Sequence, residues 1–233
     1  MQIYWLKIKD IVQETAEIKT FLLERPEDFT WAEGSHTHFA LKGFNAGEKP
    51  NRSLVRHMSI STVPAEDAIG ITTRIKEQCS EFKTILKGMS VGDEVALFKT
   101  HTNLPLKRNG SKVYLLSSGV GIATFRSIVL DYFNRSEGVE AVHSLNIDSS
   151  RQFLFQELFQ STPDKSFTAQ FVDSRNAYYA ELQKLAADKD GLFYIVGSDE
   201  FLADNIALLR EHGVSVEQMM LDKREEQKAD LLS

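Results

Sequence analysis

Two glycine-containing turns carry the first chemistry that the sequence suggests. Gly119-Val120-Gly121 stands between a predicted strand and a predicted helix, and Gly197-Ser198 has the same setting farther along the chain. Glycine lets the backbone approach a phosphate closely, while the start of a helix presents free N–H groups and the positive end of its dipole. A pyrophosphate therefore suits these turns, with tight packing as the alternative explanation for the glycines.

The histidines and the cysteine offer less chemistry. His36 and His38 alternate on one predicted strand, so both side chains could face one side and bind a metal. No cysteine or carboxylate is spaced to complete such a site, and we expect no metal there. Cys79 is the single cysteine of the chain, which excludes an internal disulfide and a thiolate cluster for zinc or an iron–sulfur centre.

Length and composition exclude several classes of protein. The 233 residues are 42% hydrophobic and 26% charged, as in ordinary globular proteins. The net charge of −6 argues against nucleic acid or an anionic membrane surface as the main partner. The longest uncharged stretch, residues 113–125, is shorter than the ~20 apolar residues of a transmembrane helix. The N-terminal sequence lacks the apolar core of a signal peptide, so we expect a cytoplasmic protein.

The first group of predicted elements is made of strands. Up to about Lys107, short segments rich in β-branched and aromatic residues are separated by Gly, Pro and Asp turns. They predict strands over 3–8, 18–23, 37–41, 58–61, 69–75 and 95–98, and one helix over 81–88. Short strands with a single helix favour a small antiparallel β-barrel, which closes its own edges.

After Arg108 the predicted strands and helices alternate. Strands are predicted over 113–116, 141–145, 167–172, 192–196 and 214–220, with helices over 123–133, 153–159, 178–187 and 201–212. Repeated βα units predict a doubly wound parallel sheet with right-handed crossovers. The boundary is predicted near 107–111, giving domains 1–108 and 109–233, and the charged run 222–230 is predicted to be a solvated tail.

Five short motifs, in this order, resemble those of the ferredoxin-NADP reductase family of flavoenzymes. They are Arg56-His57-Met58-Ser59, Thr72-Thr73-Arg74, Cys79-Ser80, residues 118–125 and Val196-Gly197-Ser198. The resemblance covers almost the whole chain and keeps the order and approximate spacing of the motifs. It implies a flavin-binding β-barrel followed by a nucleotide-binding α/β domain, with the active site in the cleft between them.

The resemblance places the first motif on the flavin. Arg56 is implied to pair with the flavin pyrophosphate, which suits the bidentate guanidinium group. Ser59 is implied to place its hydroxyl near N5, the flavin atom that receives hydride, and is the candidate catalytic residue. His57 and Met58 complete the motif. Met58 stands where the family has an aromatic residue, and a thioether can still pack against a flavin ring.

Two further segments are implied to contact the flavin. The second flavin strand of the family and its phosphate-binding turn correspond here to Thr72, Thr73 and Arg74, and to Gln78, Cys79 and Ser80. For Arg74 a solvent-side strand charge is the alternative. For Cys79 the alternative is a small buried residue without a redox role.

In the second domain the resemblance implies a nicotinamide nucleotide at Gly119, Val120, Gly121, Thr124 and Gly197. Thr124 and Ser198 stand where the family has prolines, and Val196 stands where it has a cysteine beside the nicotinamide. Because these differences accumulate on the nicotinamide side, a degenerate binding module without NAD(P)H turnover stays open as an alternative.

The choice between nucleotides can be argued at one place. Ser174 and Arg175 follow the strand predicted over 167–172 and resemble the pair with which NADP-preferring members hold the 2′-phosphate. A hydroxyl and a guanidinium suit a phosphate, whereas Asp173 would repel one. A helix N-cap role for Ser174 is the alternative. NADPH is favoured over NADH.

The resemblance thus implies hydride transfer from NADPH or NADH to FAD, with electrons passed to a small redox protein or a small-molecule acceptor. FAD is favoured over FMN because Arg56 and Ser80 both offer phosphate contacts. The alternatives are the degenerate flavin- or nucleotide-binding module and an electron-transfer component served by a protein partner. Without iron–sulfur ligands, any redox chemistry would rest on the flavin.

Overall fold

The computed structural model describes residues 2–161, 164–223 and 225–232. The chain divides into two compact units, Met1–Thr102 and Asn103–Ser233. The boundary predicted near 107–111 lies a few residues farther along, in the segment that leads to the first strand of the second unit. We describe each unit by itself.

Unit 1 is a curved antiparallel sheet. Its strands are β1 (Ile3–Gln13), β2 (Ile18–Leu23), β3 (Ser35–Ala40), β4 (Val55–Ser59), β5 (Ile69–Arg74) and β6 (Glu94–Thr102). The hydrogen-bonded order is β4-β3-β6-β1-β2-β5, and every pairing is antiparallel. The two ends of this order meet where Ile60 bridges Ile71 and the Ser61 amide donates to the Gly70 carbonyl at 2.9 Å. The predicted barrel is therefore confirmed.

The inner face of this sheet is apolar because side chains alternate between the two faces of each strand. Phe39, Ile71 and Leu97 are completely buried there. Helix α1 (Glu81–Lys87) adds Phe82 and Leu86, one helical turn apart, to the same core. This burial holds α1 against the strands that carry the predicted flavin motifs.

Several strands are longer than their sequence patterns predict, and β6, predicted over 95–98, runs over Glu94–Thr102. β1 continues to Gln13 because a register shift between Ile8 and Asp10 lets its second half pair with β2. β4 begins at Val55 instead of residue 58, so the whole first flavin motif lies in a strand. Backbone pairing with a neighbouring strand decides these ends, and a local pattern does not show it.

Unit 2 is built on a parallel sheet. Its strands are β7 (Lys112–Ser118), β8 (Ala141–Ile147), β9 (Phe167–Val172), β10 (Leu192–Val196) and β11 (Met219–Leu221), in the order β11-β10-β7-β8-β9. The helices are α2 (Ile122–Asn134), α3 (Gln156–Gln160), α4 (Arg175–Leu185), α5 (Asp199–Glu211) and α6 (Glu225–Leu232). The order reverses at β7, which confirms the predicted doubly wound sheet and sets a switch point between β7 and β10.

The charged run after β11 does not behave as a simple solvated tail. It forms α6, and Leu231 and Leu232 pack against the core of unit 2. The guanidinium of Arg210 on α5 donates to the carbonyl of Leu232. The two leucines give α6 an apolar side that the density of charge in the sequence concealed. Within the described ranges, no helix is both long and apolar enough to cross a membrane.

Candidate functional site

Arg56 joins β4 to the beginning of α1. Its guanidinium carbon lies 4.9 Å from the centroid of the Phe82 ring, and Phe82 belongs to the first turn of α1. Nη1 donates to the carbonyls of Val55 at 2.7 Å and Ser53 at 3.0 Å. The fold therefore brings the first flavin motif next to the predicted phosphate-binding turn, which lies far away in sequence.

Arg56, Arg74 and Lys83 lie near the start of α1, and Lys76 follows Arg74 by two residues. Burial lowers the pKa of Lys83, and the positive charges of Arg74, Arg56 and Lys76 lower it further. Lys83 Nζ also donates to the backbone carbonyl of Arg74 at 2.6 Å. Like charges repel one another, so an anion bound among these groups would stabilise them.

The residues before α1 are open to a ligand. Gln78 and Ser80 are exposed, and the Ser80 side chain makes no capping hydrogen bond to the helix. Cys79 is half-buried, packs against the core of unit 1 and lies with its Sγ 3.6 Å from Thr84 Oγ1. Its charge raises the pKa of Lys83. The surroundings of Cys79 match the small packed residue that the sequence offered as an alternative.

The structure divides the β4 motif between the two faces of the sheet. Arg56 reaches Phe82 and Met58 packs against the core, so these two side chains share the inner face. His57 is exposed, and its ring packs against other imidazoles on the outer face. Ser59 is half-buried. The fold therefore does not bring the His57 side chain together with Arg56 and Met58, because adjacent strand residues point in opposite directions.

The two threonines of the second flavin motif also lie on opposite faces. Thr72 Oγ1 lies 2.8 Å from both Thr20 Oγ1 and Ser61 Oγ, which ties β5 to β2 and to the end of β4. Thr73 is buried. Arg74 lies 4.0 Å from the carboxylate of Glu17, and its positive charge acts on Lys83. Of this motif, the fold brings the charge of Arg74 to the cationic group.

In unit 2, the turn Gly119–Gly121 connects β7 directly to α2. A Cβ at residue 121 would lie 2.7 Å from the carbonyl oxygen of Val196, so this turn packs closely against the end of β10. Asn146 Nδ2 donates to the Gly119 carbonyl at 3.4 Å, and Gly119 has a φ of 54°. Val120 is half-buried. Close packing therefore accounts for Gly121, while the turn still lies at the ligand-binding edge of the sheet.

The residues that depart from the family motifs have structural roles here. Ser198 caps α5 by accepting a hydrogen bond from the Phe201 amide at 3.2 Å. A Cβ at Gly197 would lie 2.5 Å from the Phe201 ring, and Val196 is buried. Thr124 is buried in the first turn of α2, which forms without the family's proline.

A small pocket opens at the carboxyl ends of β7, β8 and β10. Residues at or after the strand ends combine there with residues of α4 and α5, and they are Ser118, Ile147, Arg175, Tyr178, Tyr179, Ser198, Phe201 and Asp204. In open α/β sheets this edge, at the switch point, is where ligands bind. The pocket brings Arg175, predicted from the sequence, next to both glycine-containing turns.

Two carboxylates hold the polar groups of this pocket. Arg175 Nη2 lies 2.9 Å from Glu200 Oε1, and this hydrogen bond raises the pKa of Arg175. The Tyr179 hydroxyl donates to Asp204 Oδ2 at 3.0 Å. Burial, followed by this hydrogen bond, raises the pKa of Tyr179 to about 12. Any phosphate that binds Arg175 must therefore compete with Glu200.

Ser174 is the N-cap of α4, because its hydroxyl accepts a hydrogen bond from the Ala177 amide at 3.3 Å. A capping hydroxyl keeps its own proton and can still donate it to a ligand. Asp173 lies 2.6 Å from the guanidinium of Arg151, so the structure compensates the charge that the sequence suggested would repel a phosphate.

Sequence reasoning missed several charged residues of both candidate sites. Lys76 and Lys83 flank the predicted phosphate turn, and Glu200 and Asp204 follow the Gly197 turn. Scanning for charges within one helical turn of each motif would have found Lys76, Lys83 and Glu200, whereas Asp204 lies six residues after Ser198. Their pairing with Arg175 or with other cations is visible only in the folded chain.

No protein-family model matches the chain. No curated protein matches its sequence significantly. Solved structures do match. The ferredoxin NADP+ reductase from Neisseria gonorrhoeae, with bound FAD and NADP, has a TM-score of 0.82 and 18% identity over 95% of this chain and 98% of that one.

Two other solved structures also match the fold of the chain. The CS-b5R domains of human Ncb5or in the NAD+ form give a TM-score of 0.77 and 16% identity, covering 95% of this chain and 70% of theirs. The ferredoxin-NADP+ reductase from Plasmodium falciparum with 2′P-AMP gives a TM-score of 0.77 and 14% identity, covering 94% of this chain and 95% of that one. The chain therefore has the fold of these solved structures, as its motifs predicted.

Proposed function

We propose that the protein is an FAD-dependent NAD(P)H oxidoreductase. The observation that carries this proposal is the placement of Arg56, Arg74 and Lys83 at the start of α1. A pyrophosphate is a doubly charged anion that would offset the repulsion among these cations. The exposed Ser80 hydroxyl, which the helix does not use, supplies a neutral donor beside them.

FAD fits these residues better than FMN does. Two phosphates can engage Arg56 and the Ser80 turn at once, whereas one phosphate would use only part of the cationic group. Met58 lies on the same face as Arg56 and packs against the core, where its thioether can also contact an aromatic ring. Ser59 keeps the catalytic assignment that the family motif gives it, near the flavin N5.

The nicotinamide nucleotide is proposed to bind in unit 2. The pocket at Ser118, Arg175 and Ser198 lies at the switch point of the sheet, beside the Gly119–Gly121 turn. Among the matching structures, the Neisseria reductase contains NADP and the Plasmodium reductase contains 2′P-AMP. Arg175 is the residue of this pocket that suits a 2′-phosphate, so NADPH is the proposed donor, with NADH as the weaker one.

A bound flavin would accept hydride from the nucleotide and pass the electrons to an acceptor. The residues of this chain bind and orient the two cofactors. The cations at α1 hold the flavin phosphates, and the unit 2 pocket holds the nucleotide. The proposed acceptor is a small redox protein or a small molecule, since two of the matching structures are ferredoxin-NADP+ reductases. A cytoplasmic location stays a prediction from the sequence.

The test uses the purified full chain. We expect visible flavin absorbance, or its appearance after incubation with FAD, and its loss when NADPH is added without oxygen. Failure to take up FAD would overturn the proposal. A yellow protein whose absorbance neither NADPH nor NADH changes would overturn the nucleotide part and favour an electron-transfer component served by a protein partner.

A further inference from the structure

Four of the six histidines of the chain lie together on the outer face of unit 1. His36 and His38 come from β3, His57 from β4 and His101 from β6. In the sheet, His36 pairs with His101, and His38 pairs with His57. The ring centroids are 4.1 Å apart for His36 and His101 and 3.9 Å apart for His38 and His57.

The four rings pack against one another and do not converge on a common point. His36 and His57 stack at a centroid distance of 5.7 Å, while His36 and His101 meet edge to face. In the described part of the chain, no group of three or more His, Cys, Asp or Glu side chains is placed to hold a metal ion. We therefore treat this histidine cluster as a group of titrating bases.

His36 is the buried centre of the histidine cluster. It is 5% exposed, and neither of its ring nitrogens has a hydrogen-bond partner within the described residues. Burial, and then the charges of His101, His57 and His38, lower its pKa to about 4. A proton on His36 would have neither water nor an acceptor, so its binding requires the sheet to open.

These three strands carry few charged residues besides the histidines. Besides its histidines, β3 carries no charged residue, and β4 carries only Arg56, whose guanidinium lies over Phe82. β6 carries the cation Lys99 and the carboxylate Glu94, and Glu94 lies seven residues before His101, about 23 Å along an extended strand. Glu33 precedes β3, and its backbone carbonyl accepts a hydrogen bond from Thr102 Oγ1 at 3.0 Å.

The weakest partner of β3 is β4. β4 is the terminal strand of the hydrogen-bonded order, so it pairs along its length with β3 alone. Beyond its end, the bridge at Ile60 and the hydrogen bonds of Ser61 link the chain to β5. A charge on His36 therefore repels His57 across the boundary that opens most easily. β4 also carries Arg56, the residue that links this strand to α1.

We propose that the histidine cluster is an acid-sensitive latch: protonation of His36 releases β4 from β3 and, with β4, the anion held at Arg56. The second half of this statement rests on the proposed function, because the anion there is the flavin pyrophosphate. By linkage, an anion that holds β4 in place keeps the cluster neutral. Acidification would thus favour the flavin-free form.

The test is amide hydrogen exchange of the full chain without added flavin, read at residues 55–59 and corrected for the intrinsic effect of pH. We expect the protection of these amides to fall about 30-fold between pH 7.5 and 5.0. This ratio follows from the lowering of the His36 pKa from 6.5 to about 4 in the closed sheet. Protection of β7 and β10 in unit 2 serves as the internal reference.

Three variants assign the effect. His36→Phe keeps an aromatic ring and removes both nitrogens, so the loss of amide protection at residues 55–59 on acidification should disappear. His101→Gln, at an exposed position, removes one neighbouring charge and should make the fall smaller, which keeps the test decisive if the His36 variant does not fold. His143→Gln is the matched control, since burial also lowers the pKa of His143 but it lies in unit 2. It should leave the fall unchanged.

A second measurement addresses the anion. The affinity for FAD should weaken at least tenfold between pH 7.5 and 5.0 in the native chain, and less in His36→Phe. Loss of FAD binding at every pH would contradict the proposed function but leave the exchange result standing. FAD binding with equal β4 protection at both pH values, or an equal fall in His36→Phe, would overturn the latch.

Discussion

Arg56 and Phe82 form a cation–π pair, with the guanidinium carbon 4.9 Å from the ring centroid. Phe82 is completely buried, so its ring is a fixed platform for the guanidinium. Such a pair contributes about 0.5–1 kcal/mol at exposed sites and more when water is excluded. The contact orients Arg56 at the beginning of α1 before any ligand binds, which reduces the entropy lost on binding.

Replacing Arg56 with Ala should weaken FAD binding. The lost charged hydrogen bonds are worth about 1.5–3 kcal/mol, which corresponds to about 10- to 150-fold in Kd. Flavin fluorescence quenching measures the affinity. Arg126→Ala is the matched control, because Arg126 lies 5.3 Å from the Phe155 ring in unit 2 and makes the same kind of pair. Equal affinities of the Arg56 variant and the native chain would show that the pyrophosphate binds elsewhere.

Glu200→Gln should shift the nucleotide preference toward NADPH. The substitution removes the carboxylate that lies 2.9 Å from Arg175, so the guanidinium no longer has to leave an ion pair to bind a 2′-phosphate. Because both groups are exposed, we expect a modest gain, about 3- to 10-fold in the ratio of NADPH to NADH affinity. Calorimetric titration with each nucleotide measures it.

The control for that substitution is Glu181→Gln, which removes an ion pair with Lys184 on the same helix as Arg175. It should leave the ratio unchanged. If Glu200→Gln and Glu181→Gln gave the same ratio as the native chain, Arg175 would not be the 2′-phosphate contact.

Gly121→Ala should destabilise unit 2. The added Cβ would meet the backbone oxygen of Val196 at 2.7 Å, and a backbone atom cannot rotate away as the end of a side chain can. We expect a loss of about 1–3 kcal/mol in the free energy of unfolding, measured with urea. Gly47→Ala is the control, since its Cβ would meet the nearest atom at an ordinary 3.7 Å. Similar unfolding midpoints for both variants would contradict the close approach of the two turns.

The free energy of unfolding should fall as the pH drops below 6.5. Burial and the neighbouring imidazoles lower the pKa of His36 from 6.5 to about 4 in the folded chain, so between these values the unfolded chain binds more protons. The contribution of His36 to the free energy of unfolding is fully present above pH 6.5. It declines toward pH 4 and is constant below, and the total loss is about 3 kcal/mol. Urea unfolding of the native chain and of His36→Phe measures the difference. Parallel pH profiles for the two proteins would be the contrary result.

Local chemistry decided much of the fold. β9 and β10 have the bounds that their patterns predict, because an apolar run between turns cannot be satisfied outside a buried sheet. The helix starts were less accessible to sequence reasoning. α4 begins at Arg175 instead of residue 178 because the Ser174 side chain caps it, and this hydrogen bond extends the helix beyond its apolar spacing.

By itself, the sequence determined the two classes of unit, since periodicity is a local property. The resemblance of its motifs supplied the candidates Arg56 and Arg175. The tertiary structure decided which of these residues meet. It joined Arg56 to the start of α1, paired Arg175 with Glu200 and collected four histidines on one sheet face. Strand order and register set these contacts, and both result from pairing between distant segments, which no local pattern encodes.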